Sequence, residues 1–348
     1  MQMNGGYTRR ECLALFSAAV LSQARGEAGA AAAAGLTKPM RGAFMILSTP
    51  YTNAGAVDWD DLVREVQFCH QCGVQGMVWP QGSSGVANLT KDERMHGMEV
   101  IAKAAQGGSP ALVLGVQGKN TAEMIEYARR AEALAPDAMI AMPPSGATSL
   151  EEYGEYFRAL GKLTSRPVIV QTTGGAPKLT PPVDFIVGLA RELPNFGYVK
   201  EESEPLVERM KAEVQRRPPM RAIFGASFGS NWLYEMRLGL DGVITGNAMY
   251  SDLMARLWDL HQQRHGEQLR DAFSKFLLMR NLSERIPGTD LYVMRKRGVF
   301  KTTVTRSSAA PGSTSGSAWS LRTLSLSPDD IAEIEYRFDA LKPYLSVP

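Results

Sequence analysis

From residue 42 onward, short apolar runs alternate with longer amphipathic stretches, and this alternation constrains the fold more than any other feature of the chain. The apolar runs are GAFMILSTP, GMVWPQG, ALVLGV, AMIAMPP, PVIVQTT, FGYVKEES, AIFGAS and GVITGNA. Between them lie stretches such as WDDLVREVQFCHQCG, TAEMIEYARRAEALA and LEEYGEYFRALGKL. Their apolar residues fall three and four apart, and several open with Thr, Ser or Pro, which is the pattern of capped helices packed on one face. Eight strands, each followed by a helix, is the count of an α/β fold of the (β/α)8 TIM barrel type. An open doubly wound sheet would carry a glycine-rich fingerprint after its first strand, and STPYTNAG supplies none. The barrel is expected over residues 40–266.

Residues 267–348 read as a C-terminal helical appendage, on the patterns LRDAFSKFLLMRNLSERI and DDIAEIEYRFDALKPYL. The stretch RSSAAPGSTSGSAWS (306–320) is rich in Ser, Gly and Pro and reads as a surface loop. Residues 1–35 read as an export signal of the twin-arginine kind followed by an alanine-rich linker, which predicts a periplasmic or exported protein. The pattern rests on Thr8-Arg9-Arg10, the apolar stretch from Cys12 to Leu21, and the small-residue run AGAAAAAG. About ten apolar residues are too few for a stable membrane anchor.

Lys plus Arg (38) nearly balance Asp plus Glu (36), and no basic stripe with interleaved aromatics occurs, so nucleic acid is not an expected partner. Cys69 and Cys72 form a C-x-x-C in FCHQCG, on what reads as the last turn of a helix stopped by Gly73. With no second such pair and only four histidines, a metal site is not expected. The two cysteines read as structural, with a local disulfide as the alternative to test.

In a barrel of this kind the chemistry sits at the carboxyl ends of the strands. Lys200 occupies that place in NFGYVKEES, with Tyr198, Lys200 and Glu202 on one strand face and Val199 and Glu201 on the other. A desolvated amine there loses its proton readily, as a Schiff-base lysine must. Pattern alone leaves a solvated lysine paired with Glu201 or Glu202 equally open.

The order of segments resembles the dihydrodipicolinate synthase / N-acetylneuraminate lyase family from about residue 40 to about residue 305. The residues that carry the resemblance are STPYTNAGAVDWDDL, the GSSGV turn followed by LTKDER, NFGYVKEES at Lys200, and LGLDGVITGNA as the eighth strand. The resemblance implies that Lys200 forms an imine with pyruvate or a related 2-oxo acid. A C–C or C–O bond is then made or broken through the enamine, with no metal or organic cofactor, because the iminium is itself the electron sink. It further implies that Ser83 and Ser84, in the Gly82–Gly85 turn, hold the substrate carboxylate and that Ile244 lines the substrate site. Family members commonly form dimers or tetramers, which makes a homo-oligomer the expectation here.

The chain also departs from the family. Gln171 stands where a tyrosine normally relays protons at the end of strand five, with Thr172 and Thr173 after it. Pro144 and Ser145 stand where a second tyrosine is usual, Val86 replaces the acid closing the turn, and Ala176, with Lys178 close by, stands near the usual carboxylate-binding arginine. Glutamine has no titratable proton near neutral pH. The candidates for the missing relay are Tyr198, on the same strand face as Lys200, then Thr172, Thr173 or Ser145 positioning a water, and Glu202. These departures, together with the export pattern, argue against dihydrodipicolinate synthase activity proper. They leave open a barrel that has lost turnover and binds an oxo acid or sugar acid, or one that serves as a scaffold.

Overall fold

The computed structural model describes residues 38–308 and 319–347; the export-signal reading, on residues 1–35, lies outside them. Eight parallel strands close into a barrel in sequence order: β1 (Gly42–Ile46), β2 (Gly76–Trp79), β3 (Ala111–Gly115), β4 (Ala138–Ala141), β5 (Val168–Gln171), β6 (Tyr198–Lys200), β7 (Ala222–Gly225) and β8 (Gly242–Thr245). The helices that follow are α1 (Trp59–Gln71), α2 (Lys91–Ala104), α3 (Thr121–Ala133), α4 (Leu150–Leu163), α5 (Val183–Glu192), α6 (Leu206–Gln215), α7 (Trp232–Leu238) and α8 (Ser251–Gln262). Their starts follow local chemistry. Asp58, Asn120 and Ser149 accept the N3 amides of α1, α3 and α4, and Thr90 with Glu93 forms a reciprocal capping box on α2.

Strand alternation divides the core. Met45, Met77, Leu112, Met139, Val170 and Val199 pack between sheet and helices. Phe44, Val78, Val113, Ile140, Ile169, Tyr198, Phe224 and Ile244 fill the barrel itself, all buried. The rings of Phe44 and Phe224 meet edge-on at 5.1 Å. Gly76, in register with Phe44, makes room for that ring: a Cβ on Gly76 would lie 2.2 Å from it. The barrel is therefore plugged below its carboxyl-end mouth, and a substrate must enter from the loop side.

Burial raises the pKa of two acids packed between the barrel and its helices. Glu235 of α7 lies against Gly225 with neither carboxylate oxygen hydrogen-bonded, and burial pushes its pKa from 4.5 up to about 8. Because the folded state holds this proton more tightly than the unfolded chain, its contribution is fully present below about pH 4.5. It is lost as pH rises towards 8, at no more than about 1.4 kcal/mol per pH unit. Glu235→Gln should flatten that part of the pH–stability profile, as read by urea unfolding at a series of pH values. Glu213 of α6 is pushed up to about 10, by burial first and by the Glu201 carboxylate beside it second.

Cys69 and Cys72 are free and buried. Cys69 lies in α1 with its Sγ 3.3 Å from the Ser251 hydroxyl, and Cys72 follows as the C-cap. Burial raises both thiols, Cys72 to about 12. Since the thiolate is the reactive form, both should resist N-ethylmaleimide in the native protein and label only on unfolding, as peptide mapping would show.

The C-terminal region comprises α9 (Gly266–Arg285), α10 (Thr289–Lys296), a two-stranded antiparallel hairpin of β9 (Val304–Ser308) and β10 (Trp319–Thr323), and α11 (Pro328–Asp339). The barrel and this region form one compact unit from Met40 onward. The hairpin corrects the reading of 306–320 as a loop, since residues 306–308 and 319–320 are paired strand. What the polar composition concealed is Arg306. Its guanidinium is buried between the rings of Tyr51 and Trp319, at 4.6 and 4.0 Å, and forms a bidentate pair with Glu93 at 2.7 and 2.8 Å. It also donates to the carbonyls of Gly55 and Asn88. One side chain thus ties the hairpin to the loops after β1 and β2, at the mouth of the barrel.

The chain end is fastened by a second buried pair. Arg297 meets Asp252, the second residue of α8, through two hydrogen bonds of 2.9 and 2.6 Å, with both side chains excluded from solvent. Arg297 also donates to the carbonyls of Met249 and Val347, while Asp252 accepts the amides of Ser346 and Val347.

Candidate active site

Lys200 ends β6, between Gln171 of β5 and Phe224 of β7 in the register of the sheet. Alternation turns it into the barrel with Tyr198 below it and Glu202 above, and it is only 4% exposed. Burial lowers the pKa of its amine, and the charge of Glu202 opposes this in part. Its Nζ lies 3.1 Å from Glu202 Oε1 and 3.5 Å from Gln171 Oε1. Glu202 Oε2 in turn accepts 2.7 Å hydrogen bonds from Gln171 Nε2 and from the Thr173 hydroxyl. Gln171 and Glu202 thus meet the amine, and Thr173 holds Glu202 beside it.

The opposite face of the same segment is structural. Glu201 points outward, where its carboxylate takes the Thr172 hydroxyl at 2.6 Å, the Ser203 amide at 2.7 Å and Arg209 of α6 at 2.9–3.0 Å. Thr172, named above as a residue that could position a water and also expected to contact substrate, is therefore engaged on the outer side of the sheet, and it also accepts the Glu202 amide at 2.9 Å. The threonine that reaches the Lys200 cluster is Thr173. Tyr198 fills the barrel between Ile169 and Ala222, and among the described residues its hydroxyl bonds to no protein group, Lys200 included.

The turn Gly82–Ser84 after β2 is a short 3-10 helix closed by Gly85 in the left-handed conformation at φ 71°. Ser84 is buried: its hydroxyl donates to the Leu47 carbonyl at 2.6 Å and accepts the Gln81 amide at 3.1 Å. The Ser84 and Gly85 amides bond back to Gln81 and Gly82, so Ser84 builds the turn and Ser83 presents its hydroxyl at the mouth. Ser83 lies against Gly246, just past β8, where a Cβ would come 2.6 Å from it and 3.4 Å from the exposed ring of Phe228. Ile244 is buried in the barrel beside Phe44, a layer below this level.

Three supports escaped the reading of the sequence. Thr49 donates to the Ser84 carbonyl at 2.6 Å and accepts Trp79 Nε1 at 3.2 Å, bracing the turn from β1. Gln81 and Gln117 bond to each other at 2.9 Å behind it, and Gln117 holds the Pro80 carbonyl. The Thr-Pro at the end of the first strand was the available signal. The two glutamines carry none, because their pairing depends on strands 36 residues apart.

A closed parallel barrel with a desolvated lysine at the carboxyl end of its sixth strand is the arrangement of class I aldolase-type lyases. Comparison narrows the class: residues 39–311 match the Dihydrodipicolinate synthetase family, and the chain belongs to it as a lyase of that type. It is 29% identical over 214 residues to the 4-hydroxy-tetrahydrodipicolinate synthase of Chlorobium phaeobacteroides, a match covering 60% of this chain and 70% of that one. To the corresponding Phenylobacterium zucineum enzyme it is 33% identical over 178 residues, covering 51% and 58%. Among solved structures, a putative dihydrodipicolinate synthetase from Pseudomonas aeruginosa superposes with a TM-score of 0.74 at 19% identity, over 87% of this chain and 100% of that one. Proteus mirabilis N-acetylneuraminate lyase does so with 0.71 at 16% identity, over 88% and 99%.

Proposed function

We propose that the protein is a Schiff-base-forming lyase acting on pyruvate or a related 2-oxo acid, with Lys200 as the nucleophile. The observation that carries this reading is the buried Lys200 amine at the barrel mouth, its pKa lowered by desolvation and its Nζ beside the Glu202 carboxylate and the Gln171 amide oxygen. Attack of the neutral amine on the C2 carbonyl forms a carbinolamine, and loss of water gives an iminium. The iminium withdraws electrons from C3, so a C3–H or C3–C4 bond breaks to leave an enamine. Ser83 is the hydroxyl we assign to the substrate carboxylate, with Ser84 and Thr49 holding the turn that presents it.

The 4-hydroxy-tetrahydrodipicolinate synthases are relatives in sequence, but the mouth of this barrel supports a different second substrate. Ala176 is half-buried with its amide held by the Tyr153 hydroxyl, and Lys178 is exposed, so no arginine stands at that position for a second carboxylate. The twin-arginine pattern supports an exported enzyme, which a reporter fusion of residues 1–35 would test. A dimer or tetramer is the assembly we propose, to be measured by light scattering.

The test is exchange of the C3 hydrogens of pyruvate and of longer 2-oxo acids in deuterium oxide, followed by proton NMR. Enamine formation predicts enzyme-dependent loss of the C3 signal for at least one acid of the panel. Absence of exchange with every acid would leave a binding protein in place of a lyase.

A further inference from the structure

We propose that Glu202 is the catalytic acid–base of this site, doing with a carboxylate what the family does with tyrosine. The proposal rests on the Schiff-base reading of Lys200 and adds the identity of the proton carrier. Among the described residues, Glu202 is the one titratable side chain within hydrogen-bonding distance of Lys200 Nζ, at 3.1 Å. Gln171, on the neighbouring strand, has no titratable proton, and among the described residues no hydrogen bond joins the Tyr198 hydroxyl to the amine.

The two oxygens of Glu202 have different surroundings. Oε2 is fixed by Gln171 Nε2 and by the Thr173 hydroxyl, each at 2.7 Å, while Oε1 faces the amine. Gln171 and Thr173 are thus positioning residues. They hold the carboxylate in one orientation without moving a proton themselves. The side chain of Glu202 is 23% exposed against 5% for Lys200, so the carboxylate lies on the solvent side of the amine, where an entering substrate must pass.

The chemistry balances with the protons that Lys200 and Glu202 already hold. Transfer of one of them from Nζ to Oε1 converts an ammonium–carboxylate pair into an amine and a carboxylic acid. The amine attacks C2, and its second N–H proton passes to the growing carbinolamine oxygen. The Glu202 acid then protonates that hydroxyl, which leaves as water while the nitrogen lone pair forms the C=N bond. Glu202 is now a carboxylate beside an iminium. C3 is bonded to C2, and C2 is bonded to Nζ, so the same Oε1 removes the C3 proton and the C3–H electrons become the enamine double bond. No oxidant, metal or further acid is required. In the relatives a tyrosine hydroxyl is expected at the end of strand five. Here that position is Gln171, and the proton carrier has moved one strand along to the residue two places after the lysine.

The experiment compares wild type, Glu202→Gln and Glu202→Ala, each with pyruvate in deuterium oxide, and with borohydride trapping read by intact mass. Glu202→Gln keeps the hydrogen-bonding shape and removes the titratable proton. It should slow C3 exchange by about 10²–10⁴-fold, the usual worth of a positioned general base, with KM for pyruvate changed less than about threefold. Glu202→Ala should be equally slow and should be partly rescued by added formate, which a residue with only a structural role would not allow. Exchange within about threefold of wild type in a folded Glu202→Gln, or loss in Glu202→Ala without any formate rescue, would overturn the assignment of Glu202 while leaving Lys200 as nucleophile. Failure of the wild type to trap or exchange any oxo acid would instead overturn the Schiff-base reading, and this proposal with it.

Discussion

Replacing Lys200 by alanine is expected to abolish adduct formation with 2-oxo acids and to lower turnover by roughly a thousandfold or more, because the desolvated Lys200 amine is the nucleophile that forms the iminium. The protein should remain folded. The change removes an amine whose burial is itself unfavourable. The Glu202 carboxylate left behind keeps its two hydrogen bonds from Gln171 and Thr173 and its access to solvent. Circular dichroism and the urea midpoint should therefore change little while activity disappears. Lys200→Arg should be as inactive as the alanine variant, since a guanidinium stays protonated and is not a nucleophile at neutral pH. A lysine serving only as a charge for an anionic substrate would tolerate that change, so the pair of variants separates covalent chemistry from electrostatics.

The largest expected effect on stability lies far along the chain from Lys200. Arg297→Ala leaves Asp252 charged, excluded from solvent, and without its bidentate partner. Breaking a buried pair in this way costs about 3–5 kcal/mol, a large fraction of the stability of an ordinary domain. It also removes the donor to the carbonyls of Met249 and Val347, which ties the residues after α11 to the start of α8. Asp252→Asn should cost less, because the amide oxygen still accepts one guanidinium bond. In urea unfolding the double variant Asp252→Asn/Arg297→Ala should lose less than the two single losses added together, since each single change removes the same contact.

Much of the fold is legible in the chain because it rests on local periodicity. Each apolar run is followed by a capped amphipathic stretch, and the right-handed return of each helix onto the sheet leaves few topologies for eight such units. Lys200 is legible for the same reason: strand parity and its place at a strand end put it in the mouth. Parity also set Glu202 on the face of Lys200, but not what it would meet there. That depends on the register of β5 against β6, which brings Gln171 alongside Lys200 and Thr173 onto Glu202. The same parity places Thr172 outside and Thr173 inside, a distinction blurred by treating the two as one polar step after the strand.

Ser84 and Arg306 illustrate a different limit. Two adjacent serines in a glycine-bounded turn are equivalent by composition, and only the 3-10 geometry sends one hydroxyl to Leu47 and leaves the other at the mouth. The paired strands 304–308 and 319–323 have little apolar content. They are held by a charged side chain whose partners, Glu93, Tyr51 and Trp319, come from three separate parts of the chain. Long-range pairing of that kind has no local signature.

The most direct test of the account is borohydride reduction of the wild-type protein in the presence of pyruvate, followed by proteolysis and mass mapping of the modified lysine. A reduced pyruvyl adduct is expected on Lys200 alone, in the peptide that contains residues 198–203. An adduct on another lysine, or none with pyruvate or any longer 2-oxo acid, would contradict it.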